Sequence, residues 1–160
     1  MYKDKSFLAV IPARGQSKRL PRKNMLVLNG KPLLTWSINA GLESKYIDKV
    51  IVSSDDNEII QIASKYDVDI VKRPDVLASD TASTFETLKH AIENFDKFDY
   101  IILLQATSPL RNAMHIDKAI ELLDSKNADA IVSVCETSHT PLWSNVLPMD
   151  GGMNNFLTED

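Results

Sequence analysis

Short apolar runs alternate with amphipathic segments along the first 135 residues, and this alternation predicts strands and helices in turn. Phe7 to Ile11, Lys49 to Ser53, Asp69 to Val71, Tyr100 to Leu104 and Ala130 to Val134 are short and apolar, as strands buried on both faces are. Between them, apolar positions recur at helical spacing. Leu34 to Leu42 predicts a first helix, and Glu58 to Tyr66 a second, with Asp56 or Asn57 as its cap. Phe85 to Asn94 predicts a third, with Ser83 and Glu86 spaced as a capping box and with Phe85, Leu88, Ile92 and Phe95 on one face. Ala113 to Leu123 predicts a fourth, whose stripe of Ile116, Ala119, Ile120 and Leu123 should lie on the sheet. Strands alternating with helices predict an α/β fold, a mainly parallel sheet with helices on both faces.

After Val134 the pattern changes. Cys135 to Asp160 holds two prolines and the pair Gly151 and Gly152, with no convincing periodic run. The expected organisation is therefore an α/β domain over residues 1–135 and an irregular excursion over 136–160, which either leaves the sheet and returns or packs as an arm on a partner subunit. Trp143, in Pro141-Leu142-Trp143, is most simply a core or interface residue, and in such an arm it could anchor a dimer contact.

The richest candidate chemistry follows the first strand. Arg14, Lys18, Arg19, Arg22 and Lys23 crowd one segment that is almost without carboxylate, and Gly15 and Ser17 supply a tight turn whose amides can face an anion. Such a loop suits a polyanion, because Arg offers forked contacts and Lys a point charge to phosphate oxygens. A solvated basic loop or a nucleic-acid contact is the alternative from the residues alone. Net charge changes that balance: 18 basic residues stand against 22 acidic ones, for a net of -4, so the loop is a local concentration on an acidic background and nucleic acid is disfavoured.

Other composition features narrow the class further. The single cysteine, Cys135, excludes an internal disulfide and a multi-cysteine metal site. No apolar run approaches a membrane span, and Met-Tyr-Lys-Asp-Lys lacks the apolar stretch of a signal peptide, so the expected compartment is the cytoplasm. Neither a Gly-x-x-x-x-Gly-Lys-Ser/Thr loop nor a Gly-x-Gly-x-x-Gly fingerprint is present, which disfavours an ordinary ATPase or dinucleotide enzyme. His90, His115 and His139 share no motif spacing with one another or with Cys135, and no nucleophile triad is visible.

In an open α/β sheet, ligands bind beyond the carboxyl ends of the strands. The segments expected there are polar: Ser53-Ser54-Asp55-Asp56, then Lys72-Arg73-Pro74 with Leu77-Ala78-Ser79-Asp80-Thr81-Ala82-Ser83, then Gln105-Ala106-Thr107-Ser108-Pro109-Leu110-Arg111. Asp55 and Asp56 are suitable oxygen ligands for Mg2+, but adjacent carboxylates before a helix more often cap it, and the cap is the expected role. Asp80 is likewise a turn or capping residue first.

Taken together, Ile11-Pro12-Ala13-Arg14-Gly15-x-Ser17-Lys18-x-x-Pro21-x-Lys23-Asn24, Arg73-Pro74, Leu77 to Ser83, and Leu103-Leu104-Gln105-x-Thr107-Ser108-Pro109-Leu110-Arg111 resemble the acylneuraminate cytidylyltransferases, also called CMP-sialic acid synthetases. The motifs occur in that family's order over nearly all of the first 135 residues. Gln16 and Ala106 depart from it, where glycine and proline are usual. The resemblance implies a Rossmann-like nucleotidyltransferase fold and transfer of CMP from CTP to a nine-carbon α-keto acid sugar, with Mg2+ as cofactor and pyrophosphate as product. It places Arg14, Gly15, Ser17, Lys18 and Lys23 at the triphosphate, with Arg14 and Lys23 as the catalytic cations. Asn24 and Arg73, with Ser83 and Thr84, would meet the cytidine, and Gln105 the sugar. It also implies a homodimer, with neither nucleic acid nor membrane as partner. The acceptor is N-acetylneuraminate or a relative such as legionaminate or pseudaminate. Members of the family continue for tens of further residues, with a dimerisation excursion and a late aspartate pair for Mg2+. The 160-residue chain is thus expected to be a fragment, a truncation or a natural short form, with a noncatalytic nucleotide-binding module as the alternative, and its metal ligands stay unassigned.

Overall fold

The structure is a computed structural model, and it describes residues 1–79, 81–138 and 149. Asp80, His139, Trp143 and the Gly151 and Gly152 pair, all singled out in the sequence, lie outside the described residues. The chain divides into two units, residues 1–129 and 130–160.

The first unit is built on a four-stranded parallel sheet. Its strands are β1 (Phe7–Pro12), β4 (Lys49–Ser54), β5 (Asp69–Lys72) and β6 (Tyr100–Leu103), in the spatial order β5-β4-β1-β6. Between β1 and β4 the chain forms a small hairpin of β2 (Val27–Leu28) and β3 (Lys31–Pro32), then helix α1 (Leu33–Leu42). Helix α2 (Asn57–Ala63) follows β4, α3 (Thr84–Ile92) follows β5, and α4 (Ala113–Ser125) follows β6.

Alternation along each strand sorts its side chains to two cores. Phe7, Ala9 and Ile11 of β1 join Val50 and Val52 of β4 on one face, covered by Leu34 and Ile38 of α1, Ile59 and Ala63 of α2, and Ile116 and Ile120 of α4. Leu8 and Val10, with Ile51 and Val71, face the other way onto α3, where Ala91, Leu88 and Ile92 meet them with Phe95 and Phe98. Gly41 is small for a reason: a Cβ there would lie 3.1 Å from Val50 and 3.3 Å from Leu104, so its absence lets α1 close onto the sheet.

Four of the five expected strands and all four helices are present, with small shifts at their ends. Asp56 is the cap of α2, accepting from the amides of Glu58 and Ile59, and Ser83 with Glu86 forms the capping box of α3. The fifth expected strand is not. Ala130 to Val134 carries no regular element, and Val132 and Val134 are 79% and 90% exposed. A strand exists by virtue of a ladder partner, and β-branched composition alone does not supply one. Phe85 also departs from its expected face, being 74% exposed. Thr84 and Thr87 beside it line a cavity, and the core under α3 is made by Leu88, Ala91 and Ile92 without Phe85. Finally, the periodicity gave no sign of the β2–β3 hairpin. Asn29 and Gly30 at its turn have φ of 47° and 82°, the pair of left-handed residues that a two-residue type I′ turn requires.

Candidate functional site

The order β5-β4-β1-β6 places a reversal between β1 and β6, since the chain proceeds outward from β1 first through β4 and β5 and later to β6 on the other side. In an open α/β sheet the crevice at the carboxyl ends of the strands beside such a reversal is where ligands bind. A cavity of about 310 Å³ occupies that crevice, lined by Pro12, Arg14, Gln16, Ser17, Lys23 and Asn24 at and after β1, by Arg73, Leu77, Ser79, Ala82, Thr84 and Thr87 after β5, and by Gln105, Ala106 and Thr107 after β6. That volume falls at the lower end of the range for small-molecule pockets. Among the described residues its lining holds three cations and no carboxylate.

The loop after β1 is held by a framework of its own. The amide of Ala13 continues the ladder by donating to the carbonyl of Ser53 at 2.9 Å, and the amide of Gly15 donates to Asp55 Oδ1 at 3.1 Å. A Cβ on Gly15 would collide with the Asp56 carboxylate, so this close approach of loop to helix end requires glycine. Asn24 is buried, and its Nδ2 donates to the carbonyl of Arg14 at 2.9 Å, closing the loop across its base. Arg14 Nη1 donates to the carbonyl of Ser79 at 3.1 Å and ties the loop to the segment after β5.

Arg22 serves the scaffold rather than the cavity. Its Nη1 lies 3.0 Å from Asp56 Oδ2 and its Nη2 2.7 Å from Glu58 Oε2, both at the start of α2. Burial would raise the Asp56 carboxyl, but the amides of Ile59 and Glu58 and the Arg22 guanidinium together hold it below the usual carboxylate range. Arg73 is the buried cation of the site, 5% exposed, with Nε donating to Ser53 Oγ at 3.2 Å and Nη2 to the Ser53 carbonyl at 2.7 Å. Burial pushes its guanidinium below the ordinary arginine range, Asp55 opposes that, and Arg14 adds to it.

Of the residues expected from sequence, Arg14, Ser17, Lys23, Asn24, Arg73, Thr84 and Gln105 converge on the cavity. Gly15, Lys18 and Ser83 do not line it: Gly15 is buried with its amide on Asp55, Lys18 is exposed, and Ser83 is engaged in the cap of α3. Sequence reasoning missed Thr87, which is buried one helical turn after Ser83 and donates to its carbonyl at 3.3 Å. The signal was available, because a residue three or four positions after a cap shares its side of the helix.

Asp55 and Asp56 do not fit a resident cation. Asp55 accepts the Gly15 amide, Asp56 is committed to the helix cap and to Arg22, and no cluster of three His, Cys, Asp or Glu residues able to hold a metal occurs among the described residues. No helix among those residues is long and apolar enough to cross a membrane.

The chain is similar to known proteins in sequence and in fold. The chain is 42% identical over 132 residues to an N-acylneuraminate cytidylyltransferase of Escherichia coli O18:K1:H7, a match covering 82% of this chain and 32% of that protein. It is 36% identical over 151 residues to the CMP-N,N'-diacetyllegionaminic acid synthase of Legionella pneumophila, covering 91% and 65%. The chain thus spans about a third of the first relative and two thirds of the second. In fold it is similar to a CMP:2-keto-3-deoxy-manno-octonic acid synthetase solved with CTP, with a TM-score of 0.67 at 24% identity, covering 77% of this chain and 49% of that one. The family model described as cytidylyltransferase matches residues 8–145, and the chain belongs to that family.

Proposed function

We propose that the chain carries the nucleotide-binding part of an enzyme that transfers CMP from CTP to a nine-carbon α-keto acid sugar, N-acetylneuraminate in the leading reading. The observation that carries this is the cavity lining: three cations, no described carboxylate, and amide and hydroxyl groups at the switch point of a sheet belonging to the cytidylyltransferase family. In the reaction the anomeric hydroxyl oxygen of the sugar attacks the α-phosphorus of CTP. The bond to the bridging oxygen of the β-phosphate breaks, its electron pair leaves on pyrophosphate, and the hydroxyl proton is released. Such a transfer needs little covalent help, so charge neutralisation and positioning are the main work of the protein.

Arg14 and Lys23 act on the charge of the triphosphate, with Ser17 donating to a phosphate oxygen. Lys18 is close enough in sequence to steer the anion from outside the lining. Arg73, Asn24 and Thr84 face the cytidine, with Ser83 holding the helix that presents Thr84. Asn24 and Arg73 already use part of their hydrogen-bonding capacity on Arg14 and Ser53, so their remaining polar atoms meet the ligand in fixed positions. Gln105, exposed at the end of β6, meets the sugar. Mg2+ is the proposed cofactor and would supply charge neutralisation on the phosphates, while Asp55 and Asp56 stay committed to the scaffold. A homodimer in the cytoplasm completes the reading.

A legionaminate-type acceptor is the second reading, favoured by the Legionella relative that the chain matches over nearly its whole length. Pyrophosphate release is the test, with the purified chain, CTP, Mg2+ and N-acetylneuraminate, then legionaminate. Samples without sugar and with Lys23→Ala serve as controls. Release that needs both a sugar and Lys23 supports the proposal, and the better sugar names the acceptor. CTP binding without release from folded protein would make the chain a noncatalytic nucleotide-binding module.

A further inference from the structure

We propose that Arg111 and Ser37 form a latch on the carbonyl of Gln105 and thereby set where the Gln105 side chain meets the acceptor sugar. This rests on the cytidylyltransferase reading above and assigns positioning roles to two residues outside the cavity lining.

Three donors converge on that one carbonyl oxygen. Ser37 Oγ donates to it at 3.1 Å, the amide of Ser108 at 3.2 Å and Arg111 Nη2 at 3.3 Å. Arg111 Nη2 also donates to Ser37 Oγ at 2.7 Å, so the two side chains hold each other as well as the carbonyl. The amide of Arg111 donates to the Ser108 carbonyl at 3.2 Å, and the segment 105–111 is therefore wound as consecutive turns around a single point. On its other side the same segment is continuous with β6, through the Leu104 amide on the carbonyl of Val10.

The choice of residues argues for position over stability. Ser37 is fully buried on α1 between Leu34 and Ile38, where an apolar side chain would suit the core. Arg111 has a half-buried guanidinium whose Nε is buried without a hydrogen-bond partner among the described residues. Burial lowers its pKa from the ordinary arginine range, which marks the same cost. An apolar chain of similar length would fill that space without leaving a donor unsatisfied. What such a chain could not do is grip the Gln105 carbonyl. Gln105, Ala106 and Thr107 all line the cavity, so a shift of this loop moves the acceptor side of the site while the cations in the segments after β1 and β5 stay in place.

The test uses the 160-residue chain, its Arg111→Lys and Arg111→Met variants, and Ser37→Ala. Arg111→Met keeps the packing and removes the grip. The measurements are the KM for each substrate, the thermal midpoint, and amide exchange at Ser108 and Arg111. The expected result is a KM for the sugar raised about tenfold in Arg111→Met and Ser37→Ala, consistent with the cost of a small misplacement. Amide exchange at Ser108 should be faster in both, and Arg111→Lys should fall between them and the unsubstituted chain. The KM for CTP should stay within about twofold, as expected for a separate part of the site. If the unsubstituted chain binds CTP without turnover, sugar affinity of the CTP complex replaces the KM, with the same expectation. An unchanged sugar constant with faster exchange would make the latch merely structural and overturn the proposal, as would equal losses for both substrates. An unsubstituted chain that binds no CTP at all overturns the reading of function, and this proposal with it.

Discussion

Arg22 and Lys23 are adjacent in sequence and opposite in use. Arg22 turns back onto Asp56 and Glu58 at the start of α2, whereas Lys23 lines the cavity with Arg14 and Arg73. The backbone separates them, for Arg22 takes a left-handed conformation with φ of 52° just before the short helical turn Lys23–Met25. Cationic density in a segment is therefore not a count of ligand contacts. A carboxylate supplied by the scaffold removes one cation from the site and uses it to brace the loop that presents the others.

Five variants test this division. Lys23→Ala has the largest expected effect: pyrophosphate release should fall by roughly 10²- to 10³-fold, the range for removing one preorganised charge-stabilising donor, with the fold intact by circular dichroism. A loss no greater than that of Arg22→Ala would erase the distinction. Gly15→Ala forces a methyl group against Asp56, and urea unfolding should show a loss of about 1 to 3 kcal/mol, typical of overpacking. Unchanged stability there would mean that loop and helix end are not in close contact. Asp56→Ala removes the cap of α2 and should destabilise by about 1 kcal/mol in the same assay.

The charge of Asp56 can be isolated from its capping role with Asp56→Asn. The Asp56 carboxyl lies below its ordinary value in the folded chain, so its contribution is fully present above about pH 4 and is lost as pH falls through the folded-state pKa. Stability measured from pH 7 to pH 2 should accordingly fall less steeply at the acid end in Asp56→Asn. An identical slope would assign the acid sensitivity to other carboxylates. Arg22→Ala is expected to do least, because its ion pairs are solvent-exposed and such pairs contribute little. Turnover by Arg22→Ala should stay close to that of the unsubstituted chain, and a fall approaching the Lys23→Ala value would move Arg22 into the site.

The sheet was legible because burial imposes a strong pattern. Phe7 to Pro12 is apolar on both faces, and both faces are covered. Caps were legible too, since Asp56, Ser83 and Glu86 act on amides two or three residues away. Asn29-Gly30 was equally local, a turn signal in plain sight that a search for long periodic runs passes over. Ala130 to Val134 failed for the opposite reason, because pairing is a long-range property that five residues cannot encode. Within the site, the cations of the first loop were legible as a group, but their division was not. Arg22 meets partners more than thirty residues away, and only the fold brings α2 beside the loop.

The cavity is assembled from three stretches that are far apart in the chain, after β1, β5 and β6, and it exists only when the sheet that brings them together is complete. Ligand affinity is thereby coupled to folding. A nucleotide that binds this crevice and not the unfolded chain should raise the unfolding free energy by about 2.7 kcal/mol at one hundred times its Kd. Occupancy would act as a reversible clasp across the strand reversal, and the melting curve itself would register which nucleotides the crevice accepts.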